Sequence, residues 1–367
     1  MVLPHEHELH YPLADQLPAR GGTIEVAPGV RWLRMGLPFA LDHINLWLLR
    51  DVSAEGEVGW AVVDCGLGDE ATQQAWLTLF KQGLDGLPVL RVIVTHMHPD
   101  HIGLADWLCE QWGCPLWISQ TEWATAHLAR SVTPTTDGAS AGSAGGEQAA
   151  AFFARHGLLD MAALDKIRSR RNDYAEMVPA LPGQFHRLMN GMVLRIGEHD
   201  WHCISGHGHT PEHIALACPA LGLLISGDMV LPRISTNISV LDIEPEGDPL
   251  PLYLRSLDQF AGLPESTLVL PSHGKPFVGL AVRIRQMREH HDARLAEVLA
   301  ACTDTACSAA DLLPMMFRRT LDLQQIPFAM GEAVAHLHAL QGRGLLQARR
   351  GDDGVLRFQV PAAGSAG

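Results

Sequence analysis

The chain has 367 residues, of which 47% are apolar and 19% charged, and a formal net charge of -14. That composition is enough for a full core and excludes wholesale disorder, and the length suits one large domain plus an appendage. So acidic a surface repels phosphates before any local contact forms, which argues against a general nucleic-acid or anionic-membrane surface, while twenty histidines point toward metal cations.

The chain opens MVLPHEHELHYPLADQLPAR, with neither a basic nor an apolar leader region, and no apolar run reaches the roughly 18 residues that span a bilayer. Its seven cysteines are scattered and never form C-x-x-C. Both features predict a cytoplasmic protein in a reducing compartment. His5, His7 and His10 near the start read as solvated.

An early strand carries Leu41-Asp-His-Ile-Asn-Leu46. Val58–Asp64 and Val89–Thr95 read as buried strands, with a helix between them capped by Asp69 and carrying Trp76, Leu79 and Phe80 on one face. A helix at about 102–112 and a strand at Pro115–Ser119 follow. Residues 120–190 interrupt the strand pattern as a helical cap or a functionless surface insertion, with a flexible Gly/Ala/Ser/Thr-rich loop at 132–149. Strands return at 201–205, 214–218, 221–226 and 267–270, each with polar residues just past its end, where open α/β folds build sites. After about residue 285 come helices at 280–301, 308–317 and 328–341 and a hairpin turning at Gly351–Gly354. That order suits a winged-helix domain at 286–360, and the tail 361–367 reads as disordered.

The central motif is Thr95-His-Met-His-Pro-Asp-His-Ile-Gly103. Three imidazoles and a carboxylate within six residues can splay around two adjacent cations if the segment is a loop. Mixed His/Asp ligation favours borderline ions such as zinc and leaves coordination positions open. Later come Gly208-His-Thr-Pro-Glu-His213, Ser226-Gly-Asp228 and Pro271-Ser-His-Gly274.

Together with Asp64 in Val-Val-Asp-Cys-Gly, these segments resemble the signature of the metallo-β-lactamase-fold hydrolases, over about residues 20–285. The resemblance implies an α/β fold, an αββα sandwich with the 120–190 insertion, in front of the winged-helix domain. It implies two divalent ions, zinc first and iron or manganese as alternatives. One takes His96, His98 and His209, the other Asp100, His101 and His273, with Asp228 bridging. A hydroxide between the ions would be the nucleophile, and Asp100 would orient it and pass its proton on. Asp64 would brace the metal segment, and His213 would hold an outer hydrogen-bonding position or simply pack. His207 lies two residues before His209, so either ring is a candidate ligand, with the motif match favouring His209.

Candidate substrate contacts are His43 and Asn45 near the site mouth, and Arg168, Arg171 and Tyr174 in the insertion, where a solvated helix face is the favoured reading of the basic run. The winged-helix pattern resembles the branch containing thioesterases and single-strand endoribonucleases. A small ester, thioester or lactone is the leading substrate class and RNA or another phosphodiester the alternative. A DNA-binding regulator is disfavoured because helix 328–341 contains no Lys or Arg, and Met330, Val334 and Leu337 instead form a face that braces the catalytic domain or a homodimer partner.

Overall fold

A computed structural model describes residues 6–131, 145–169 and 173–362. Of the flexible loop expected at 132–149, residues 132–144 lie outside the described residues, as do Arg171, His5 and the last five residues of the tail, while 146–149 begin a helix rather than continue the loop. The first sheet runs in chain order: β1 (Ile24–Ala27), β2 (Val30–Gly36), β3 (His43–Val52), β4 (Val58–Val63), β5 (Val89–Ile93), β6 (Leu116–Ser119) and β7 (His186–Leu188). Its pairing is antiparallel up to β4 and parallel from β4 to β7. The second sheet contains β8 (Val193–Ile196), β9 (His199–Gly206), β10 (His213–Cys218), β11 (Leu223–Gly227), β12 (Leu268–Pro271) and β13 (Phe277–Val278) in reverse order, with β11 and β12 parallel.

Period-two alternation in the central strands makes the layers. Leu46 and Leu48 of β3 and Trp60 and Val62 of β4 face a core shared with Trp76, Leu79 and Leu108. The intervening Trp47, Leu49, Ala61 and Val63 face Trp201, Ile214, Leu216 and Ile225 of the second sheet. Trp76 and Leu79 come from α1 (Glu70–Gln82), where the Asp69 carboxylate accepts the Thr72 N–H as an N-cap. The expected loop at 96–103 is partly helical: α2 (Pro99–Ile102) makes one turn, which Pro99 at its first position favours. Leu108 lies on α3 (Ala105–Trp112).

The described residues form two compact units. One holds both sheets, as residues 6–130, 174–236 and 256–285; the other gathers the described residues of 131–173, 237–255 and 286–367. The expected insertion at 120–190 is thus narrower. α4 (Gln120–Ser131) buries Ala126 and Ala129 in the helix-side core and β7 completes the first sheet, so both belong with the sheets.

The second unit contains α5 (Gly146–Arg155), α6 (Met161–Arg168), most of α8 (Pro249–Ser256) and α9 (Leu280–Asp304), α10 (Ala309–Met316), α11 (Ile326–Gly342) and the hairpin of β14 (Gln347–Arg350) and β15 (Leu356–Gln359). The short α7 (Asp173–Met177) follows α6. His291 of α9 and His336 of α11 are buried with ring centroids 5.6 Å apart. Burial pushes His291 down to about 2 and His336 to about 4, from 6.5. Both rings take up protons more readily in the unfolded chain, so their stabilisation is complete above pH 6.5. As pH falls from 6.5 toward 4 it is lost, at about 1.4 kcal/mol per pH unit for each ring. Far-UV circular dichroism melts at pH 7 and pH 5 check this, and His336→Gln should flatten the dependence. All nine tryptophans lie in the sheet-bearing unit, so their fluorescence reports the unfolding of that unit.

Candidate metal centre

Strand ends deliver the polar residues. Asp64 follows β4 at φ 63°, in the left-handed region where a non-glycine residue is strained by about 1–3 kcal/mol. Its buried carboxylate secures that conformation. Oδ1 accepts the Thr95 N–H at 2.8 Å, and Oδ2 accepts the Thr95 hydroxyl at 2.9 Å and His101 Nδ1–H at 2.8 Å. Because the Thr95 hydroxyl donates to Asp64, its oxygen accepts from His96 Nδ1 at 3.0 Å. His209 Nδ1 lies 2.8 Å from Thr236 Oγ1, and His273 Nδ1 donates to the His43 carbonyl at 2.7 Å. In each of these four rings an engaged Nδ1 leaves Nε2 as the atom presented to the site.

The presented atoms converge in two groups, each within 4.8 Å: His96, His98, His209 and Asp228, and Asp100, His101 and His273. His96 Nε2 lies 3.0 Å from His98 Nδ1. Asp228 faces both groups, with Oδ2 3.4 Å from His209 Nε2 and Oδ1 3.4 Å from His273 Nε2 and 3.6 Å from His101 Nε2. Asp100 Oδ2 is 3.4 Å from His273 Nε2 and 3.6 Å from His101 Nε2. These spacings match the edge of a tetrahedron around an ion with ligands at 2.0–2.1 Å, about 3.3 Å. Moreover, His101 Nε2 and Asp228 Oδ1 are buried without a hydrogen-bond partner. Polar atoms so placed cost energy unless something between them is bound, so the donor set fits divalent cations.

Electrostatics agree. Burial, aided by neighbouring imidazoles, pushes His96 and His98 well below the usual histidine range, so their lone pairs are free at neutral pH. Burial alone would raise the Asp228 carboxyl, but His273, His101 and His209 hold it well below the carboxylate range. Burial opposes charge on His101, yet Asp100, Asp64 and Asp228 outweigh it and raise the ring to about 10. The carboxylates around His101 therefore favour positive charge at the position where a cation fits.

Other candidates hold different places. His213 Nε2 accepts the Asp228 N–H at 3.1 Å, and burial pushes this ring down to about 3. His207 is outside both groups, its Nδ1 donating to the Pro211 carbonyl at 2.6 Å. His43 is bound at both nitrogens, Nδ1 to Asp42 at 2.6 Å and Nε2 accepting the Gly274 N–H at 2.9 Å. Asn45 is fully buried and donates to the Pro271 and Gly274 carbonyls. The expected substrate contacts His43 and Asn45 instead pin the loop that carries His273. Tyr174 is buried and donates to the Met97 carbonyl at 2.7 Å, so its hydroxyl is committed to the metal segment rather than to an oxyanion. Arg168 belongs to the other compact unit and pairs with Glu147 and Asp165, as a solvated helix face would.

Two residues absent from the sequence reading touch this site. Thr236 orients His209. Glu122, fully buried on α4, accepts the Met97 N–H at 2.8 Å and the Glu212 N–H at 2.6 Å. The only signal for Glu122 was Ser119-x-x-Glu122, which reads as a capping box.

A family model described as "Metallo-beta-lactamase superfamily" matches residues 41–273, and one described as "Metallo-beta-lactamase-like, C-terminal domain" matches residues 295–361. The "Probable metallo-hydrolase YqjP" of Bacillus subtilis (strain 168) is 26% identical over 149 residues, 40% of this chain and 46% of that protein, so the match spans about half of that relative. The "Probable metallo-hydrolase YflN" of the same organism is 27% identical over 204 residues, 53% of this chain and 68% of that protein. A crystal structure of a beta-lactamase domain protein from Burkholderia ambifaria superimposes with a TM-score of 0.89 at 53% identity, covering 97% of this chain and 99% of that one. The metallo-beta-lactamase family protein TTHA1429 from Thermus thermophilus gives 0.68 at 26% identity, over 92% and 100%.

Proposed function

The chain belongs to the metallo-beta-lactamase superfamily, and from that premise we propose that it is a dinuclear metal-dependent hydrolase acting on the carbonyl of a small ester, thioester or lactone. The observation carrying the proposal is the placement of Asp228 between two donor groups that each contain His side chains.

His96, His98 and His209 would hold one cation, Asp100, His101 and His273 the other, with Asp228 shared. Two bound divalent ions supply Lewis acidity toward the carbonyl and a water of lowered pKa, so no serine or cysteine nucleophile is required. Asp64, Thr95, Thr236 and the His43 carbonyl keep Nδ1 of four imidazoles occupied and so fix which nitrogen serves. Asp100, the more exposed of the two site aspartates, would accept the proton of the attacking water and return it to the leaving group. The His/Asp donor set supports zinc, with iron and manganese as the alternatives.

On this reading residues 20–285 carry the chemistry, and 286–360 form a winged-helix-like domain that supplies none of the proposed ligands. Eleven of the 17 residues of α11 are buried, which supports a packed helix over one that enters a DNA groove. No helix among the described residues is long and apolar enough to cross a membrane.

Metal analysis after purification without chelators should find close to two divalent ions per chain. The loaded protein should then turn over members of an acyl-thioester, ester and lactone panel. Cleavage of fluorescent single-stranded RNA with no turnover of that panel would move the assignment to phosphodiester hydrolysis.

A further inference from the structure

Glu122 is a carboxylate with no exposed surface, and no Lys or Arg pairs with it among the described residues. Burying such a group is costly unless its oxygens are satisfied. Ser119 lies three residues earlier, and its hydroxyl accepts the Glu122 N–H at 3.2 Å, so the start of α4 has the residue types of a capping box. The Glu122 side chain nevertheless spends its oxygens elsewhere. Oε2 takes the N–H of Met97, the residue between His96 and His98, and Oε1 takes the N–H of Glu212, three residues after His209. The two bonds are 2.8 and 2.6 Å long and connect segments more than a hundred residues apart in sequence.

We propose that Glu122 is a positioning residue that assembles the His96, His98 and His209 group by tying its two backbone segments to one rigid carboxylate. The proposal rests on the metal reading above. Each oxygen serves a different segment, so the carboxylate sets the distance between them, as a single backbone bond to either could not. Tyr174 adds a bond to the same segment at the Met97 carbonyl, which leaves Met97 held at both its N–H and its C=O. A glutamine of equal volume offers one acceptor oxygen, so its NH₂ must face one of the two N–H groups, and one link is lost. Alanine removes both.

The test compares zinc affinity, by chelator competition, in wild type, Glu122→Gln and Glu122→Ala. A Leu79→Ala variant serves as a control for general destabilisation, since Leu79 is buried on α1 and belongs to neither segment. Outer partners of metal ligands are typically worth 10–100-fold in affinity, so roughly 10-fold weaker binding is expected for Gln and roughly 100-fold for Ala. In the cobalt-substituted protein the visible absorption, which reports coordination number, should change in Glu122→Gln and stay as wild type in Leu79→Ala. Unchanged affinity and spectrum in Glu122→Gln overturn the proposal, as does an equal loss in Leu79→Ala. If the Ala variant does not fold, the Gln variant decides alone. A wild type that binds neither zinc nor cobalt overturns the metal reading itself, and Glu122 falls with it.

Discussion

Asp228→Ala is expected to yield a folded protein whose kcat/KM is lower by roughly 10³-fold and whose metal content falls at both positions. One side chain serves both groups, with Oδ2 turned to His209 and Oδ1 to His101 and His273. Losing Lewis-acid assistance is worth several kcal/mol, and about 4 kcal/mol corresponds to three decades of rate. His98→Ala should abolish turnover too, but by emptying the first position while the second retains Asp100, His101, His273 and Asp228. Metal stoichiometry separates the variants: close to one ion for His98→Ala, fewer for Asp228→Ala. The fold should survive, because Asp228 is stabilised mainly by imidazoles of the centre, and β11 is anchored through Leu223, Leu224 and Ile225. A variant that keeps both ions and wild-type turnover would sink the shared-ligand assignment.

Gly103→Ala should be nearly as damaging for a different reason. Gly103 caps α2, and a Cβ there would fall on the backbone nitrogen of Gly68, 2.5 Å from the Pro99 carbonyl oxygen and 2.7 Å from that of Gly66. All three neighbours are main chain, so no side chain can rotate away. The strand end bearing Asp64 and the turn bearing His101 are in backbone contact here, as the Cys65 N–H bond to the His101 carbonyl at 2.7 Å also shows. Overpacking of this kind costs about 3 kcal/mol, and the displaced turn would carry His101 with it. Urea unfolding followed by tryptophan fluorescence measures the loss. Gly262→Ala, where nothing lies within 4 Å of the added carbon, should shift stability by less than about 0.5 kcal/mol.

Ligand chemistry is legible in a sequence because only a few side chains can perform it, and their clustering after strands is improbable otherwise. His96, His98, Asp100 and His101 sit within six positions, and the later histidines and Asp228 each stand in a short motif. Their supports are not legible in this way. Thr236 is an ordinary threonine in a loop, and Glu122 finds its partners 25 and 90 residues away. His43 shows the reverse error: an imidazole near the mouth suggests chemistry, yet its neighbours have taken both nitrogens. Periodicity located β4, β5 and β10 to within a residue or two. It did not mark β2, where Arg31 and Arg34 break the apolar run, and it did not reveal the turn of helix at 99–102, too short to show a period.

The interleaving of the two compact units has a consequence for synthesis. The second unit draws on residues 131–173, 237–255 and 286–367, so its last component leaves the ribosome more than a hundred codons after its first. Until then α5, with Phe152 and Phe153, emerges without the C-terminal helices that share its unit. The nascent chain thus carries an unfinished apolar surface across more than a hundred codons. Long-range closure of this kind is slow and exposes chains to aggregation. A message truncated near codon 285 would encode both sheets and every proposed ligand, yet release a protein with two orphaned segments, 131–173 and 237–255, in search of a partner.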